Sequence, residues 1–206
     1  MQILPANDAA IEPALEALRR HQVIVIPTET VYGVACDGES AAALAAVADV
    51  KGRDRDKPLQ RLAWDACEVR SRCGSWTERV ERLSNSFWPG PLTMVIDGVG
   101  WRVPNHSFLR KLLRAWGKPL AASSANLAGE SPALDCAAAA AVFEGKIGLA
   151  LDGGRASVGE GSSVVRIAGA KLEIIRESAL SKADLQAAWD GKPVVQAHPT
   201  ATPQPE

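Results

Sequence analysis

No segment of the chain approaches the run of about 18 uninterrupted apolar residues that a membrane-spanning helix needs. The opening residues, Met1-Gln-Ile-Leu-Pro, lack the basic stretch and apolar core of a secretory signal. These two absences predict a chain that is neither exported by a standard signal nor held in a membrane, and so a cytoplasmic one. No Cys-x-x-Cys pair occurs. Cys36, Cys67, Cys73 and Cys136 are scattered, and His21, His106 and His198 do not pair with them at ligand spacing. The expectation is free thiols in a reducing compartment and no metal site of its own. A net charge of −1, with no basic run and no aromatic platform, argues against a nucleic-acid-binding module, although a local basic face stays open. A Walker A pattern, a G-x-S-x-G elbow and internal repeats are also missing.

What is present is an ordinary globular composition, 47% hydrophobic and 23% charged over 206 residues, which suits one domain. Helical spacing is read after Asp8 (Ile11, Leu15, Leu18), after Ser40 (Leu44, Val47), across 77–87 and after Ser107, with Gly117 as a stop. Further helices are expected at 135–143 and after Ser181, where Asp184 completes a capping pattern. Strands are read at 23–26, 59–63, 93–96, 119–122 and 147–151, with 162–167 and 172–176 as a hairpin pair. Lys51 to Pro58 reads as a charged loop. From Pro193 the chain holds four prolines and few apolar groups, so 1–192 is expected to be the catalytic domain and 193–206 a disordered tail. Mixed strands and helices throughout predict an α/β sheet covered by helices.

Four polar stretches adjoin these strands, where ligand loops collect. Pro27-Thr-Glu-Thr-Val-Tyr-Gly33 offers two hydroxyls, a carboxylate and a phenol, or is a plain strand-exit turn. Lys51, Arg53 and Lys57 can converge on an anion, with Arg53 gripping phosphate in bidentate fashion; Asp54 and Asp56 favour a solvated charge run instead. Ser123-Ser-Ala-Asn126 can set a hydroxyl and an amide on one ligand, and a serine nucleophile there has no evident histidine. The loop with Gly153, Gly154, Gly159 and Gly161 can form an anion nest from its backbone N–H groups.

Taken in order, Pro27-Thr-Glu-Thr-Val-Tyr-Gly33, Lys51-x-Arg53 with Lys57-Pro-Leu59, Phe87-Trp-Pro-Gly-Pro-Leu-Thr93, Arg102-Val-Pro-x-His106 and Ser123-Ser-Ala-Asn-Leu-Ala-Gly129 resemble the YrdC-like family over about residues 8 to 180. The resemblance implies a single-domain fold, a twisted mixed β-sheet covered by helices around a concave basic groove. It also implies an L-threonylcarbamoyladenylate synthase, a nucleotidyltransferase. Such an enzyme joins L-threonine, bicarbonate and ATP, with Mg²⁺ arriving on the nucleotide, and releases pyrophosphate. A separate transferase complex then uses the product to modify adenosine 37 of tRNA, with weak tRNA contact by the synthase itself allowed. By resemblance Lys51 and Arg53 are catalytic. Lys51, Arg53, Lys57, Thr93, Ser124, Asn126 and Arg176 bind ATP. Thr30, Tyr32, Arg102 and Ser162 line the threonine or the groove between substrates.

Two departures stand out. Leu62 occupies the last position of the family's Lys-Pro-Leu-x-x-His pattern, and the 96–102 connection is shorter than usual, which predicts a more open amino-acid end. Alternatives are an RNA-binding module with the same groove, a related carbamoyl-adenylate enzyme and a nucleotide-binding paralogue without turnover. Arg53→Ala is expected to lower turnover about a hundredfold, because one lost transition-state contact costs on the order of 3 kcal/mol. Thermal unfolding should change little, since Arg53 lies outside any apolar face. Steady-state pyrophosphate release on the purified variant, next to its melting curve, checks both.

Overall fold

Among the described residues, short β-branched and small-residue segments pair into ten strands, and these form one mixed sheet. The computed structural model describes residues 1–52, 54–55 and 58–194; Arg53, Asp56, Lys57 and 195–206 lie outside the described residues. The strands are β1 (Gln2–Pro5), β2 (Ile24–Ile26), β3 (Gly33–Asp37), β4 (Gln60–Leu62), β5 (Leu92–Ile96), β6 (Val99–Arg102), β7 (Leu120–Ser124), β8 (Leu149–Asp152), β9 (Ser163–Ala168) and β10 (Lys171–Arg176). Their order across the sheet is β1-β8-β2-β3-β7-β4-β6-β5-β9-β10. Neighbours run parallel at β1/β8, β2/β8, β4/β6 and β5/β9, and antiparallel elsewhere.

Seven α-helices are described: α1 (Ile11–Arg19), α2 (Ala41–Lys51), α3 (Ala66–Arg72), α4 (Glu78–Phe87), α5 (Ser107–Trp116), α6 (Cys136–Val142) and α7 (Lys182–Trp189). Strand side chains alternate between faces. On one face Ile24, Ile26, Ala35, Leu62, Leu120 and Ala122 pack with Leu15 and Leu18 of α1 and Leu109, Leu112 and Leu113 of α5. On the other, Val25, Val34 and Ala121 meet Val47 of α2 and Ala139 of α6. Met94, Trp101 and Val165 on that second face meet Val69 of α3, Leu83 of α4 and Leu185 of α7. Full burial of each Val, Leu, Ile or Met among them contributes roughly 1.5–3 kcal/mol. Five helices thus cover one face, and two cover part of the other. The rest of the face that α1 and α5 share is the floor of a cavity.

The expected helices are present, but two caps sit one residue earlier than read. Asn7, not Asp8, accepts the N–H of Ala9 and opens a 3-10 turn (Asp8–Ala10) ahead of α1. His106, not Ser107, caps α5, its Nδ1 accepting the N–H of Leu109 at 3.3 Å. Lys51 was expected to open a loop; it is the last residue of α2, which ends at Gly52 in the left-handed region (φ 61°). All four cysteines are free, as expected, and burial pushes the Cys36 thiol up to about 12. Of the expected tail, Pro193 and Val194 are described, and Val194 packs against the α4–α7 core; the remainder lies outside the described residues. Among the described residues no helix is long and apolar enough to cross a membrane.

The largest difference concerns the 96–102 connection. It is a hairpin, which sequence alone did not show: β5 turns directly into β6 through Asp97 (φ 52°) and Gly98 (φ 81°), the two left-handed residues of a tight turn. Asp97 also accepts the N–H groups of Gly74 and Ser75 at 2.8 and 3.1 Å, fastening the hairpin to the chain after α3. Gly98→Ala should therefore lower stability by about 1–2 kcal/mol, the cost of a Cβ in that backbone region. Nothing lies within 4 Å of where that Cβ would sit, so strain alone is at issue. Urea unfolding measures it.

Candidate active site

The turn after β2 is built by its own hydroxyls. Thr28 Oγ1 accepts the N–H groups of Thr30 and Val31, both at 3.2 Å, and donates to the carbonyl of Val31 at 2.6 Å. Its proton is thereby committed, so in its 2.8 Å contact with Thr30 the Thr30 hydroxyl is the donor. Thr30 Oγ1 in turn accepts from Arg102 Nη2 at 2.8 Å. Arg102 is only 2% exposed. Its Nη2 lies 2.8 Å from Glu29 Oε1, and its Nε donates to the carbonyl of Gly90 at 3.3 Å. The Glu29 contact is an ion pair without aligned hydrogen-bond geometry, since neither Glu29 oxygen receives a well-directed donor. Gly90 has to be glycine because a Cβ there would collide with the Phe87 carbonyl oxygen.

A second cluster forms where α2 meets the end of β7. The ammonium of Lys51, itself buried, donates to the backbone carbonyl of Ser124 and lies 3.5 Å from Asn126 Oδ1. Ser124 Oγ donates to the same Oδ1 at 2.5 Å, while Asn126 Nδ2 is held by the carbonyls of Leu127 and Glu130. Ser124 is thus a hydrogen-bond donor to an amide, and no histidine is among the described residues lining the cavity. The geometry does not make it a nucleophile.

A third cluster crosses β5, β9 and β10. Arg176 donates through Nε and Nη2 to the carbonyl of Ser162 at 2.9 and 2.6 Å, with Nη2 also 3.4 Å from Ser162 Oγ. Ser162 Oγ lies 2.8 Å from Thr93 Oγ1, and Thr93 donates to Gln60 Oε1 at 2.9 Å. Burial, and then the nearby charge of Arg102, pulls the Arg176 guanidinium below its ordinary value.

These clusters face one cavity of about 830 Å³. Thr30, Tyr32, Lys51, Thr93, Arg102, Ser124, Asn126, Ser162 and Arg176 all line it, so every described residue among the expected set is brought together. Arg53 and Lys57 lie outside the described residues, in the connection between Lys51 and Pro58, both of which line the cavity. Charged side chains in the described lining are Lys51, Arg102, Arg166, Arg176 and Glu130. Leu62, at the histidine position of the family pattern, is fully buried at the cavity floor against the α1–α5 core. Gln60 was not foreseen. It sits two residues before Leu62 on β4, and that period-2 spacing was the available signal for a shared face.

At two places the structure adds to the sequence reading. Tyr32 is fully buried, and its hydroxyl accepts the N–H of Gly153 at 3.0 Å and donates to the carbonyl of Gly154 at 2.7 Å. Burial raises its pKa, so it stays a neutral phenol. Much of the glycine-rich loop is bonded within the protein: the N–H groups of Gly153, Gly154, Ala156, Val158 and Gly159 go to Tyr32, Asp152, Leu134, Glu29 and Thr30, and only Gly161 of its four glycines lines the cavity. Close packing explains Gly153, where a Cβ would press on Pro27 and on His106 Nε2 at 2.7 and 2.9 Å. Burial lowers the pKa of His106 and keeps the imidazole neutral, as its acceptor role on Leu109 requires.

The profile of the family described as telomere recombination (Sua5, YciO and YrdC) matches residues 16–178. The chain belongs to this family. Over 199 residues it is 30% identical to the threonylcarbamoyl-AMP synthase of Bacillus subtilis, covering 89% of this chain and 58% of that protein. A relative from Mycobacterium tuberculosis is 31% identical over 185 residues, 83% of this chain and 85% of its own length. The crystal structure of P. abyssi Sua5 complexed with L-threonine superposes with a TM-score of 0.85 at 27% identity, over 91% of this chain and 61% of that one.

Tyr32→Phe leaves the N–H of Gly153 and the carbonyl of Gly154 without their partner. Stability is expected to fall by about 1–3 kcal/mol. Hydrogen exchange at Gly153 should accelerate while exchange in β3 and β7 stays near wild type, which separates loosening of the loop from global unfolding.

Proposed function

We propose that the cavity binds ATP and L-threonine and, with bicarbonate, makes L-threonylcarbamoyladenylate with release of pyrophosphate. The observation that carries this reading is the convergence of nine separately placed residues of the synthase pattern on one cavity, in a family whose relatives bear that name. The amine of threonine bonds to the carbon of bicarbonate, whose C–OH bond breaks with loss of water, to give the carbamate. A carbamate oxygen then bonds to the α-phosphorus, and the bond from that phosphorus to the bridging oxygen of pyrophosphate breaks. Two anions must meet in that step. Fixed guanidinium and ammonium groups at Lys51, Arg102 and Arg176, supplemented by Arg53 and Lys57, reduce their repulsion and stabilise charge on the leaving pyrophosphate.

Lys51 serves twice. It orders the Ser124–Asn126 turn that faces the nucleotide, and it keeps a positive charge at the end of α2. The neutral hydroxyl and amide of that turn suit sugar or base hydroxyl and amine groups. Arg102, with Thr30, holds the amino-acid end, while Ser162 and Arg176 stand between the two substrates. Mg²⁺ accompanies the nucleotide on phosphate oxygens and water. The described residues contain no cluster of three or more carboxylate, histidine or cysteine ligands, which suits a metal carried by its substrate. The adenylate then serves a transferase complex that modifies tRNA, and the synthase works in the cytoplasm.

Purified protein incubated with ATP, L-threonine and bicarbonate should release pyrophosphate only when all three are present. Release without threonine, or none with the full mixture, would overturn the assignment. A product with the mass of threonylcarbamoyl-adenylate is expected alongside.

A further inference from the structure

β4 and β5 are not neighbours in the sheet, because β6 lies between them. Thr93 of β5 and Gln60 of β4 nevertheless make a 2.9 Å hydrogen bond over the cavity face. The bridge is possible because Gly100 of β6 stands under it. A Cβ at Gly100 would already touch Thr93 Cγ2 at 3.5 Å and Gln60 Cβ at 3.8 Å, so a larger side chain would separate the pair.

The protons along this bridge have a fixed direction. A guanidinium only donates, so Arg176 Nη2 gives to Ser162 Oγ across their 3.4 Å contact. The Thr93 proton goes to Gln60 Oε1, so in the 2.8 Å contact between Ser162 and Thr93 the serine is the donor. The chain of donors ends at the carbonyl oxygen of the Gln60 side chain. With Oε1 so engaged, the Nε2 hydrogens of this cavity-lining side chain are left as donors, and they make no hydrogen bond to the described residues. Gln60 shares the β4 face with Leu62, whose side chain offers no hydrogen bond, and Leu62 pairs with Arg102 in the ladder.

We propose that Gln60 is a substrate-contacting specificity residue, its Nε2 hydrogens donating to a carboxylate or carbamate oxygen of the bound amino acid beside Arg102. This rests on the synthase reading of the cavity. An amide donor next to a guanidinium matches the two oxygens of such a group, and donation to a charged acceptor is stronger than to a neutral one.

The deciding variant is Gln60→Glu, which keeps an acceptor for Thr93 but removes both donors and adds a negative charge. Titration calorimetry on the full chain should show L-threonine binding weakened by about ten- to a hundredfold, with ATP binding within about twofold of wild type. Gln60→Leu should weaken threonine binding by a smaller factor. In wild type, the ¹⁵N-labelled side-chain amide of Gln60 should shift on addition of threonine, a measurement that needs no variant to fold. Unchanged threonine affinity in Gln60→Glu, an unmoved amide resonance, or a loss confined to ATP would overturn the proposal. If wild type itself binds no threonine, the synthase reading falls as well. Threonine binding by wild type that Gln60→Glu leaves intact removes only the role of Gln60.

Discussion

The buried guanidinium of Arg102 is the junction on which the site depends. It joins three segments that are remote in sequence: the end of β6, the Thr28–Val31 turn and the Trp-Pro-Gly-Pro segment before β5. A charge with 2% exposure costs several kcal/mol to desolvate unless its donors are met. Here Thr30 and the Gly90 carbonyl accept from it, and Glu29 supplies the opposite charge. Glu29 is equally enclosed, so removing either partner would leave an uncompensated charge inside the protein. The pair therefore defines the position of the motif turns more than it adds net stability.

Around that junction, the division of labour follows from the sheet. Five helices seal one face with ordinary apolar packing, while α1 and α5 cover only part of the other. The remaining floor carries Gln60, Thr93, Arg102 and Arg176, polar side chains that an apolar cover could not have satisfied. The gap in helical cover and the polar alternation on β4, β5 and β6 are two expressions of one requirement. The cavity is where the face that α1 and α5 share has no hydrophobic partner.

The α/β class, the major helices and the residues of the site were legible because their signals are local: caps, helical spacing and family motifs. β1, β3, β6 and α3 were not. β3 reads Gly-Val-Ala-Cys-Asp with all five residues buried, so it lacks the alternation that marks a half-exposed strand. β6 was hidden because Asp97-Gly98 was read as part of a loop and not as a two-residue turn. Lys51 was placed in a loop because the charge run that follows outweighed the Gly52 stop signal. The task of Tyr32 was illegible for a different reason: its partner Gly153 is 121 positions away, and no local pattern records such a contact. Gln60 escaped notice because an isolated glutamine acquires meaning only when Gly100 and Thr93 are seen beside it.

The anchoring of the glycine-rich loop has a mechanical meaning. Glycine-rich segments beside a cavity are natural swinging covers, since their backbones rearrange at low cost. This one is tied down from Gly153 to Gly159 by Tyr32, Asp152, Leu134, Glu29 and Thr30. Opening it would break those bonds together. The loop is a fixed support and not a swinging cover: by fastening the carbonyls of Glu29 and Thr30 it holds still the turn that presents Thr30 to the cavity.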